Sequence, residues 1–181
     1  MRRLLLLAAI SALAIHAGYS QSRGTDDARQ FKSGEVVQLS DGLTARITKS
    51  TMSHFAAVKV KGQPVVVLLE LDAGKKSATL SYKLSADSKL SEVYLAMGTQ
   101  RIAPRAVIED FPSWGADNDK EVEILDPADK SGSVVLTFER KGSLALLFDV
   151  PLDQAKTPQK FSIMLRTVLP KDEQHSFVVN L

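Results

Sequence analysis

The sequence predicts an all-β fold, an antiparallel β-sandwich preceded by a signal peptide. Three observations predict it. Apolar and polar residues alternate with a period of two through much of the chain after residue 36, as half-buried strands require. Gly, Pro and Asp punctuate these stretches at short intervals, giving about nine or ten short strands, the pattern of a sandwich or barrel. The longest apolar run, residues 4–17 with only Ser11 and His16 interrupting it, stands behind Met1-Arg2-Arg3 at the N-terminus.

That N-terminal layout, a short basic segment and then an apolar one, is that of a secretory signal. The run is shorter than the roughly 20 apolar residues of a membrane-spanning helix, so an uncleaved anchor is the competing reading. Ala17, Gly18 and Ser20 offer small residues for cleavage, after Ser20 or after Ala17. The chain has no Cys, which closes both acylation as a lipoprotein and disulfide stapling. A bacterial protein of the periplasm or the extracellular space is expected. The chain carries 23 Lys+Arg against 21 Asp+Glu, a net charge of +2. Arg2 and Arg3 account for that excess, so a chain cut after Ser20 has 21 of each and is formally neutral. A neutral domain gives no support for a nucleic-acid partner and little long-range steering, and no membrane partner is expected once the signal is removed.

Residues 21–33 are polar and read as a flexible leader in which only Phe31 is suited to docking. The domain is expected over 34–181. Val37 and Leu39 lead to Asp41-Gly42, a tight-hairpin signal, and Leu43, Ala45 and Ile47 then face one side with Thr44, Arg46 and Thr48 on the other. Residues 55–61 continue the alternation. Residues 64–71 are apolar on both faces, as in a central strand. Ala78, Leu80, Tyr82 and Leu84 alternate with polar residues, and Val93, Leu95 and Met97 follow; a helix over 86–97 is the alternative. Val134, Leu136 and Phe138 form one arm of a hairpin that turns at Lys141-Gly142 and returns through Leu144, Leu146, Phe148 and Val150. Strands from Phe161 and from Phe177 complete the chain.

One segment breaks the rhythm. Residues 109–132 are rich in acids, Pro and Gly, with a short strand expected at 121–125. Loops of this length are often functional, so candidate binding residues fall here: Trp114, Asp110 and Asp126. Asp117, Asp119 and Glu121 alternate and present hard oxygen ligands suited to Ca²⁺. They do not form an EF-hand, since Val122 stands where its Gly belongs and Ala128 where its Glu belongs. No other cofactor is implied. Catalysis finds little support. There is no Cys and no Gly-x-Ser-x-Gly elbow. Only His54 and His175 lie beyond the signal, which is too few for a zinc cluster. Glu109-Asp110 lacks the aromatic-lined cleft of a glycosidase.

Several features together resemble a known family: the signal, the polar leader, the Gly-x-Val-Val-x-Leu strand with its Gly-Leu return over 34–43, the VVVLLEL strand at 65–71, and Phe148-Asp149-Val150-Pro151 before the final strands. They are similar to bacterial secreted immunoglobulin-like domains related to the mycobacterial immunoprotective extracellular antigen. The resemblance spans 34–181 and implies an immunoglobulin-like sandwich. The chain departs from it in lacking the lipoprotein Cys many members carry, and in having Asp72-Ala73-Gly74 where an Asn is usual. The expected function is that of an exported, non-catalytic module binding a protein or cell-envelope partner. The alternatives are a calcium- or carbohydrate-binding module on the 109–132 loop, and a hydrolase with a dispersed triad.

Overall fold

The computed structural model describes residues 29–40, 42–50, 55–109, 124–129, 131–169 and 172–181. Eleven strands form among them: β1 (Arg29–Lys32), β2 (Val36–Ser40), β3 (Leu43–Ser50), β4 (Gln63–Leu84), β5 (Val93–Met97), β6 (Gln100–Ile102), β7 (Ala106–Glu109), β8 (Ile124–Leu125), β9 (Gly132–Val150), β10 (Lys160–Leu169) and β11 (Glu173–Asn180). The fold is all-β. Among the described residues no α-helix occurs, a 3-10 turn spans Leu152–Gln154, and the segment 86–97 supplies strand β5 rather than a helix.

Two strands organise the molecule. β4 and β9 pair antiparallel along almost their whole lengths, but the register breaks between Asp72 and Ser77, where four residues of β4 oppose the single residue Arg140 of β9. A bulge bends the strands that carry it. Before the bend, residues 66–72 of β4 pair with β3 on one side and residues 63–72 with 141–150 of β9 on the other, which in turn pairs with β7. Beyond it, β4 pairs with β10 and with 132–139 of β9. The first layer is thus β2-β3-β4-β9-β7-β8. The second is β1-β11-β10, with the far halves of β4 and β9 beside one end of β10 and β5-β6 beside the other. The arrangement is an open sandwich. All strand pairs are antiparallel except β1 with β11, which is parallel, so the sheet is mixed.

Both layers point into one core. Val67 and Leu69 of the first layer join Leu80, Ile163 and Phe177 of the second in a single buried cluster. Phe148 meets Phe161 edge to face across the layers at 6.1 Å. The bulge changes the phase of β4: Val65, Val67, Leu69 and Leu71 face inward before it and Ala78, Leu80, Tyr82 and Leu84 after it. An odd register offset swaps the faces of a strand, and the bulge supplies it.

Two sequence expectations are corrected here. The pair 134–139 and 144–150 is not a hairpin turning at Lys141-Gly142. Both arms belong to β9, and each pairs with β4 instead of with the other. Residues 55–61 are not a strand. Phe55 is fully buried, and with Val58 and Val60 it covers the outer face of the first layer at Val66, Ala145 and Leu147. That second small cluster explains why residues 64–71 are apolar on both faces.

Candidate functional site: an arginine-lined end cleft

The strands of the first layer end in a cleft of about 480 Å³ where β4 begins and β9 finishes. β6 brings Arg101 to it, the start of β7 brings Arg105, and the chain leaving β8 brings Asp126. Arg105 is set in place by its own backbone, whose N–H donates to the Leu147 carbonyl at 2.7 Å. Its Nη1 donates to Asp126 Oδ2 at 2.5 Å. The other Asp126 oxygen accepts the Ala128 N–H at 2.9 Å, closing a turn that aims the carboxylate. The hydrogen bond from Arg105, and then that from Ala128, hold the Asp126 carboxyl below the usual carboxylate range. The same partner raises the Arg105 guanidinium. Both side chains remain open to water, at 46% and 34% exposure, so the pair contributes at most about 1 kcal/mol to stability.

Arg101 lies over the Tyr94 ring at 4.4 Å from its centre, the geometry of a cation–π contact. Asp149 has a different task at the cleft. Its two oxygens accept the N–H groups of Lys61 and Gly62 at 2.9 and 2.7 Å. That anchors the segment entering β4, and at Gly62 a side chain would collide with the Val150 carbonyl. Ile102, Pro104, Pro127 and Pro151 supply an apolar, stiff rim.

Of the residues singled out from sequence, Asp126 lies in this cleft. Asp110, Trp114, Asp117, Asp119, Glu121 and His54 lie outside the described residues. Glu109, read as half of a carboxylate pair, accepts the hydroxyl of buried Tyr82 at 2.7 Å. Burial chiefly, then the charge and hydrogen bond of Glu109, push the Tyr82 phenol up. His175 is buried on β11, stacked on Phe177. Among the described residues no three His, Asp or Glu side chains gather where a metal ion could be held. Arg101 and Arg105 were missed in the sequence reading. Their signal is the stretch RIAPR, two cations flanking a rigid Ile-Ala-Pro between strands.

No family model matches the chain, and no curated protein matches it. Among solved structures it is similar to a family 123 glycoside hydrolase from Clostridium perfringens, described in a study of glycolipid glycan hydrolysis, at 10% identity and a TM-score of 0.35. The match covers 77% of this chain and 27% of that one, so the chain spans about a quarter of that protein's length.

Proposed function

We propose that the chain is an exported, immunoglobulin-like, non-catalytic binding module that takes a protein or cell-envelope partner in the end cleft. The observation that carries the reading is the meeting of Arg101, Arg105 and Asp126 on a 480 Å³ opening at the ends of paired strands. Polar groups fixed on rigid elements beside an apolar rim are what recognition needs. The same groups argue for binding over turnover. Among the described residues no His lines the cleft. Asp149 is committed to two backbone N–H groups. Asp126, held ionised by Arg105, is a weak base at neutral pH. Export is supported by the basic-then-apolar N-terminus alone.

The test is site-specific photo-crosslinking in the exporting cell. A photoreactive residue at Ser88 or Ala128, both on the cleft wall, is expected to give a discrete adduct that Arg101→Ala abolishes. The same residue at exposed Val168, away from the cleft, is expected to give none. Equal adducts from both places, or none from either, would overturn the assignment of the cleft. Turnover of glycosides or esters by the purified chain would overturn the non-catalytic reading.

A further inference from the structure

We propose that the bend shared by β4 and β9 is a docking surface for an anionic lipid bilayer. Four cations meet there. Lys75 and Lys76 lie in the bulge of β4, and Arg140 and Lys141 lie across from it on β9. All four are exposed, and no side chain among them forms an ion pair or hydrogen bond with a described residue. Two acids accompany them among the described residues, Asp72 and Glu139. Asp72 keeps its charge while its Oδ1 accepts the Gly74 N–H at 2.7 Å, so four cations face two acids and the described surface is net positive. The nearby Arg46–Glu70 pair neutralises itself at 2.9 Å. The surface that remains is a cationic ridge.

The backbone adds a second observation. Arg140 has φ of 65°, and it is the one non-glycine residue with positive φ among those described. Glycine or asparagine fits that conformation with less strain. Strained positions concentrate where function holds them, and here the strain keeps a cation on the ridge.

The shape selects the partner. Two cavities formed by described residues lie elsewhere, at the end cleft and around Lys83 and Glu92. The bend is the outer corner between the two layers, and the aromatic it carries among the described residues, Phe138, is buried under Gly142. Single-stranded nucleic acid needs exposed aromatic platforms and a groove, and the ridge provides neither. Flexible lysines on an outer corner fit a plane of phosphate headgroups, where each cation adds on the order of fivefold to partitioning. The bend and the cleft stand at opposite ends of the ten residues Gln63–Asp72, roughly 30 Å apart at the rise of a strand. A molecule resting on the ridge therefore presents the cleft away from the bilayer.

The experiment is co-sedimentation of the full chain with vesicles of 30% phosphatidylglycerol in phosphatidylcholine and with pure phosphatidylcholine vesicles. The readout is the ratio of the two partition coefficients, compared between the parent and its variants, which all share Arg2, Arg3 and the apolar residues 4–17. The expected ratio is well above one and falls as salt rises. Lys75→Ser/Lys76→Ser/Lys141→Ser is expected to lower it tenfold or more with the melting temperature unchanged. Lys59→Ser/Lys89→Ser/Lys160→Ser, an equal charge change elsewhere, is expected to lower it less than threefold. Arg140→Gly, which relieves the strain while removing a cation, is expected to lower the ratio without loss of stability. A ratio of one, equal effects of the two triple variants, or capture by dextran sulfate beads without vesicle binding would each overturn the proposal, the last in favour of a polyanionic glycan.

Discussion

His175 shows how one side chain ties stability to pH. It sits on β11 at 8% exposure with its ring 6.1 Å from that of Phe177 and nearly parallel to it, 7° off. Thr167 Oγ1 is 3.5 Å from its Nε2. Arg29 reaches over the other partner of the stack, 5.2 Å from the Phe177 ring centre. Burial first, and then the Arg29 charge, lower the His175 pKa, with Glu173 opposing them. A histidine depressed in the folded state stays neutral while its unfolded counterpart, with a pKa near 6.5, takes up a proton. Stability is therefore expected to fall as pH drops below about 6.5 and to be held above it. The depressed carboxyls of Asp126 and Asp172 titrate below the usual carboxylate range, outside this window. Thermal melts at pH 7.5 and pH 5 check this: the decline should shrink in His175→Gln. An equal decline in both proteins would remove His175 as its source.

At the scale of elements, the bend decides the architecture. Gly142 faces Leu71, and an added Cβ there would lie 2.6 Å from the Phe138 ring, which turns under the corner. Gly142→Ala must displace that ring and is expected to destabilise by about 1–3 kcal/mol, the range for overpacking a filled core. Urea denaturation measures it, and a midpoint unchanged from the parent would mean the corner is more pliable than its packing implies. The bend also explains which strands were legible. The inward set Leu43, Ala45, Ile47 keeps a clean period of two, and the structure buries all three. Gly42, at φ of 76°, closes the expected hairpin of β2 and β3. Continuity was not legible. Residues 72–76 and 139–142 are charged and carry glycine, the composition of turns, yet they are corners within strands. Local pattern cannot separate a hairpin from a bend, because the difference lies in which distant strand each half pairs with. The short strands β6 and β7 escaped for a related reason: three and four residues are too few to show a period. In the cleft, Asp126 was legible as a loop acid, but Arg105, 21 positions earlier, became its partner only through the β7–β8 pairing.

The whole molecule has edges to protect, and β1 closes one of them. Four register pairs, Arg29 with Phe177 through Lys32 with Asn180, cover the outer side of β11. Phe31 packs on Phe177 at 5.7 Å between ring centres. A turn held by the Glu35 N–H to Lys32 carbonyl bond at 3.1 Å, with Gly34 at φ of 84°, then carries the chain across to β2 in the first layer. The last residues of the polar segment 21–33 are thus a strand that joins both layers. Without β1, β11 would offer an eight-residue edge, EQHSFVVN, with Phe177 and Val179 beneath it. Unpaired edges of that length template association with another chain. A chain beginning at Ser33 is expected to melt several degrees lower and to self-associate more than its parent, with a mass by light scattering that rises with concentration. Phe31→Ser, which keeps the backbone pairing and removes the ring, is expected to lower stability by about 1–2 kcal/mol without that rise. The two variants separate what β1 contributes by packing from what it contributes by pairing. If the truncated chain kept the parent's mass and melting temperature, β1 would be a passive extension and the second layer would close at β11 unaided.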